Sequence, residues 1–81
     1  MKVMLYTLST CSHCKSTKQL MNDCQVVYEF IDVDLLSKEE RNTIIENIKQ
    51  INPRCSFPTI LIGDQVIVGY KQDEIKKALG L

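Results

Sequence analysis

The chain of 81 residues is expected to fold as an α/β sandwich of order βαβαββα on one mixed sheet, and three observations carry that expectation. Apolar, β-branched runs alternate with segments of helical periodicity along most of the sequence. The first two runs are separated by a segment of helix length, and a crossover through a helix makes its flanking strands parallel. The last two are separated only by Gly63-Asp64-Gln65, a tight hairpin that makes its pair antiparallel.

The first strand, Lys2–Leu8, is almost continuously apolar, as suits a strand covered on both faces. Ser9 and Thr10 follow, and either hydroxyl can cap the next helix. In that helix Cys14, Thr17, Met21 and Cys24 recur at spacings of three, four and three, with Leu20 widening the stripe. Cys14 therefore faces the core, and Cys11 lies at the first turn. Val26–Val33 (VVYEFIDV) is rich in β-branched and aromatic residues and reads as the second strand.

Ser37-Lys38-Glu39-Glu40 is a capping box, in which the Ser37 hydroxyl and the Glu40 carboxylate are expected to satisfy two free amide donors. The helix it opens carries Ile44, Ile45, Ile48 and Ile51 and ends at Asn52-Pro53. After Pro58 come the hairpin strands Thr59–Ile62 and Val66–Val68. A last helix runs from Gln72 to Leu79, with Asp73 and Glu74 in its first turn, Lys76 and Lys77 near its end and Gly80 as a stop, as the helix dipole prefers.

Composition excludes several classes of function. Apolar residues make up 44% and charged residues 25% of the chain, the profile of one compact domain spanning residues 1–81. Ten basic and ten acidic side chains cancel, and no run of like charge is present to follow a phosphate backbone or an anionic membrane. The N-terminus is too quickly interrupted for a signal peptide or a membrane span. A cytoplasmic, monomeric protein is expected, and cysteines in that compartment are more often catalytic or metal-bound than stapled.

Cys11-Ser12-His13-Cys14 is where chemistry is expected. A permanent staple across so short a loop would constrain few unfolded conformations. A complete mononuclear zinc site would need Cys24 and Cys55 as well, yet Cys24 lies on the core stripe and no second CxxC exists. The first amides of a helix have no internal partners, and with the dipole they stabilise an anion, so Cys11 is expected to be the more acidic thiol. His13 and Lys15 add positive or hydrogen-bonding character nearby. Cys14, one turn further and inward, is placed to resolve a mixed disulfide on Cys11. Cys24 reads as a small core hydrophobe, and Cys55 as a packed or inert thiol or as a site for glutathionylation or a regulatory disulfide.

With a CxxC at the junction of first strand and first helix, the sequence resembles the glutaredoxins and glutaredoxin-like redoxins of the thioredoxin fold. Three stretches carry the resemblance: Cys11-Ser-His-Cys14 at the active-site dithiol, Ser56-Phe-Pro-Thr59 at the proline loop, and Gly69-Tyr-Lys-Gln-Asp73 before the last helix. The resemblance implies a glutaredoxin-type four-stranded mixed sheet flanked by three helices, and reduction of protein or glutathione mixed disulfides. It makes Cys11 and Cys14 catalytic. His13 reads either as a solvated side chain at a helix start or, in its resemblance to the histidine at the matching place in protein disulfide isomerase motifs, as a catalytic promoter of the Cys11 thiolate. The family resemblance also implies a cis Phe57-Pro58 bond, with Phe57 pairing to the bound thiol peptide. Ser12, Lys15, Pro58, Gly69, Tyr70, Lys71 and Asp73 complete the expected substrate- or glutathione-binding set.

No permanent cofactor is expected; glutathione enters as a co-substrate. Glutathione-using members tend to carry a basic residue where this chain has Leu8. The Gly69-Tyr70-Lys71 order instead looks like the redoxins reduced by thioredoxin reductase. Either donor fits. The alternative is an iron–sulfur or zinc-binding carrier module on the same fold, which could use Cys11 and a partner thiol.

Overall fold

The structure, a computed structural model, describes residues 2–81. The elements are β1 (Val3–Thr7), α1 (Ser12–Asp23), β2 (Glu29–Asp32), a 3-10 turn at Val33–Leu35, α2 (Lys38–Ile51), β3 (Thr59–Ile62), β4 (Gln65–Val68) and α3 (Gln72–Ala78). The four strands form one sheet of order β2-β1-β3-β4, with β1 and β2 parallel and the other two pairs antiparallel. This is the mixed sheet expected from the two kinds of connection.

Cross-strand register decides which side chains share a face. Val3 lies opposite Ile62, and Leu5 opposite Ile60, which in turn pairs with Ile67. These residues are buried together with Leu20 and Met21 of α1 and Ile75 of α3. Fully burying each such aliphatic side chain is worth roughly 1.5–3 kcal/mol. The other face is covered less completely: Met4, Tyr6 and Leu61 are half-buried, and Ile48 of α2 is buried outside that cluster. The two faces of β1 are therefore not equivalent, although its sequence is apolar on both.

The second strand is shorter than its composition suggests. Gln25 takes φ +58 as the chain leaves α1, and the Val26 N–H donates to the Met21 carbonyl at 2.9 Å, so the backbone is still turning off the helix at Val26. Pairing with β1 begins only at Met4↔Glu29, and Val27 is 91% exposed. At the other end Val33 leaves the ladder for the 3-10 turn. Propensity marked the right region, but the exit from α1 set its start and the end of β1 at Thr7 its finish.

Two smaller differences are local. Gln65 pairs with Ile62 and belongs to β4, leaving a two-residue turn in which Gly63 adopts φ +57, a conformation that costs glycine little. At the start of α2 the Ser37 hydroxyl accepts from the Glu40 N–H at 3.3 Å, as expected. The Glu40 carboxylate, however, accepts from that same hydroxyl at 2.9 Å rather than from a backbone amide. Only half of the capping box forms.

Candidate active site

Helix α1 is capped by Cys11, not by Ser9 or Thr10. The Cys11 sulfur accepts a hydrogen bond from the Cys14 N–H at 3.2 Å, and the Cys11 carbonyl accepts from the Lys15 N–H at 3.1 Å. Ser9 is committed elsewhere. Its N–H donates to Asp34 Oδ1 at 2.9 Å and its hydroxyl to Asp34 Oδ2. Those two bonds hold the Asp34 carboxyl below the usual carboxylate range. The 3-10 turn after β2 thus clamps the segment leading into the dithiol, while Cys11 supplies the acceptor that a serine or threonine normally would.

The two thiols are unequal. Cys11 is half-buried and Cys14 is 0% exposed. Burial, first, and the hydrogen bond to Cys11, second, push the Cys14 thiol up to about 12. The Lys18 charge acts in the opposite direction. A partly exposed sulfur held by an amide donor at a helix N-terminus is suited to attack and departure, and a buried neutral thiol is suited to wait. All four cysteines are free.

Beyond α1 lies a network that sequence reasoning missed. The buried Thr7 hydroxyl donates to the Ile31 carbonyl at 3.2 Å and to Asp32 Oδ1. The Lys18 ammonium sits 3.1 Å from the same carboxylate oxygen and 4.0 Å from the centroid of the Phe30 ring. The signal in the sequence was Lys18 four residues after Cys14, hence on the same face of the helix.

The proline loop is fixed from two sides. Phe57-Pro58 is cis, and Pro58 is buried while Phe57 is half-buried. The Gly69 N–H donates to the Pro58 carbonyl at 2.8 Å, which joins two of the expected binding stretches. On the other side Asn52, 4% exposed, directs its amide at Thr59 Oγ1 (3.0 Å), Ser56 O (3.3 Å) and Ser56 Oγ (3.3 Å). The sequence presents Asn52-Pro53 only as a helix stop, so this structural role was not visible in it.

Among the other expected site residues, Ser12, His13 and Lys15 are exposed on the first turn of α1. Gly69 adopts φ +90. Tyr70 is half-buried and packs against the core cluster. Lys71, the N-cap of α3, lies 3.8 Å from the Glu74 carboxylate, and Asp73 is exposed in the first turn. Cys24 packs at the margin of the core as expected, and Cys55 is half-buried in the left-handed region at φ +48. Among the described residues no group of three His, Cys, Asp or Glu side chains is close enough to hold a metal ion.

A parallel β–α–β unit whose helix is capped by one cysteine and buries a second at its first turn defines a thiol-disulfide oxidoreductase of the thioredoxin fold. Within that class the chain belongs to the glutaredoxin family, whose model matches residues 3–67. It is 31% identical over 67 residues to glutaredoxin 1 of Rickettsia prowazekii, an alignment covering 83% of this chain and 67% of that one. Methanoredoxin of Methanosarcina acetivorans superposes with a TM-score of 0.94 at 44% identity, over 99% of this chain and 85% of that chain. NrdH-redoxin of Escherichia coli, described as glutaredoxin-like with a thioredoxin-like activity profile, superposes at 0.79 with 26% identity over 95% and 93% of the two chains.

Proposed function

We propose that the protein reduces protein disulfides or glutathione mixed disulfides in the cytoplasm, with Cys11 as nucleophile and Cys14 as resolving thiol. The Cys11 thiolate attacks a disulfide R–S–S–R′, forming Cys11–S–S–R and expelling R′–S⁻, which takes up a proton. Cys14 then gives up its proton and attacks the Cys11 sulfur. The Cys11–S–S–R bond breaks, R–S⁻ leaves and is protonated, and two electrons have passed from the dithiol to the substrate. What supports this reading is the asymmetry of the pair: Cys11 partly open at a helix cap, Cys14 fully buried behind it. His13 favours the thiolate from the exposed side of the turn, and Phe57, ahead of the cis proline, offers its backbone to the substrate chain.

The electrons that return the dithiol to its reduced state come from glutathione or from thioredoxin reductase. Lys15, Lys71 and Asp73 are the charged groups available to glutathione carboxylates and amine, whereas Leu8 supplies none. A coupled assay decides both points. Insulin or a small mixed disulfide is supplied with glutathione, glutathione reductase and NADPH, and in parallel with thioredoxin reductase and NADPH. Turnover in one arm names the donor, and no NADPH oxidation in either arm would sink the reading.

A further inference from the structure

The buried resolving thiol must lose a proton in an apolar setting, and a fully buried thiolate is costly unless a charge compensates it. Cys11 cannot provide that compensation, because its sulfur is the one under attack. The charged and titratable groups that bear on Cys14 are Cys11 at the cap, Lys18 on the same helix and, through Lys18, Asp32 of β2. Of these only Lys18 is positive.

Lys18 is also held in place. Its side chain is 22% exposed and that of Asp32 15%, against 58% and 62% for the surface pair Lys71–Glu74. The Asp32 carboxylate is fixed by the buried Thr7 hydroxyl at the end of β1, and the Phe30 ring lies against the ammonium at 4.0 Å. A lysine free to swing into water would be of little use to a buried sulfur; this one is fastened on two sides.

We propose that Lys18 is a positioning residue for the resolving step, its ammonium anchored by Asp32 and Phe30 so that it stabilises the Cys14 thiolate as that sulfur attacks Cys11. Lys18 stays protonated throughout. The proton leaving Cys14 passes to water or to the departing thiolate, and the S–S bond forms and breaks as in the mechanism above, on which this inference rests. The first attack, by the capped and partly exposed Cys11, does not use Lys18.

The two steps separate when the reduced protein meets a modest excess of the aromatic disulfide dithiobis(nitrobenzoate). One coloured thiolate is released when Cys11 attacks and a second when Cys14 resolves. In Lys18→Gln, which can still donate to Asp32, the first phase is expected within about twofold of the unsubstituted protein. The second is expected to slow about tenfold, the effect of about two units of thiol acidity once the greater nucleophilicity of a more basic thiolate is allowed for, and its rise with pH to move to higher pH. Lys18→Met, which keeps an apolar stem over Phe30, gives the same slowing if the Gln variant folds poorly. Lys18→Arg keeps the charge and restores the second phase. An unchanged second phase in both neutral variants, equal slowing of both phases, or an Arg variant as slow as the Gln variant would overturn the role of Lys18 alone. Absence of the first phase in the unsubstituted protein would overturn the redox reading, and this inference with it.

Discussion

The side-chain amide of Asn52 reaches the hydroxyl of Thr59 at 3.0 Å in the interior, and the same hydroxyl donates to the Ser56 carbonyl at 2.7 Å. This clasp spans the turn that carries Cys55, Ser56 and the cis Phe57-Pro58 bond, so the proline loop is positioned by a residue at the end of α2.

Asn52→Ala leaves Ser56 and Thr59 without that donor. A buried polar group deprived of its partner costs about 1–3 kcal/mol, and for a domain of this size each kcal/mol lowers the thermal midpoint by about 4–8 °C. The expected outcome is a lower midpoint by differential scanning calorimetry, together with a raised KM for disulfide substrates. A midpoint within a degree of the parent would show that the clasp contributes nothing.

The cysteines should divide cleanly. Cys11→Ser is expected to abolish insulin reduction, because no other exposed sulfur lies at the helix cap. Cys14→Ser is expected to accumulate a mixed disulfide on Cys11, visible as an added mass on an intact-protein spectrum and removed by reductant. Retained dithiol activity in both variants would contradict the assignment.

Alkaline stability follows from the buried thiol. The folded Cys14 titrates near 12 against 9.0 when unperturbed. With the folded value raised, its contribution is fully present below the unfolded value and is lost as pH rises through the folded one. Urea unfolding of the reduced protein should therefore show stability falling between pH 9 and 12, and Cys14→Ala should remove that component of the slope. An identical slope in the variant would argue against it.

The Asp34 clamp has the opposite sign. Its carboxyl is lowered from 3.8 by the two bonds from Ser9, so the stabilisation is present above that value and fades as pH falls through the folded one. Asp34→Ala is expected to be less stable than the parent at neutral pH, with the gap closing in acid. A constant gap from neutrality down to strongly acidic solution would mean that the carboxylate is not the source.

His13 is exposed beside the buried Cys14. His13→Ala should make the disulfide harder to reduce, moving the midpoint of a glutathione redox titration to more negative potential by on the order of 30 mV, equivalent to about 1.4 kcal/mol. An unchanged midpoint would remove His13 from the chemistry.

Much of this architecture was legible in the sequence, and the parts that were not share a cause. The order of elements, the parallel first pair and the inward direction of Cys14 follow from periodicity and connection length, which are local properties. The limits of β2 are different, because they depend on where the chain finishes turning off α1, past Val26, and on where β1 ends beside Asp32. The cap of α1 was misread because Ser9 is a good cap in isolation, and only the fold brings Asp34 close enough to engage it. Lys18–Asp32 and Asn52–Thr59 join residues from different elements, and nothing in a linear spacing announces such a meeting.

The sulfur at the N-cap of α1 belongs at once to the secondary structure and to the chemistry. In the reduced protein it is a group able to carry negative charge opposite the Cys14 amide; in the oxidised protein it is a neutral bridge atom. Oxidation of the pair is therefore expected to weaken the cap of α1, and the amide resonance of Cys14, which donates to that sulfur, is expected to shift between reduced and oxidised protein.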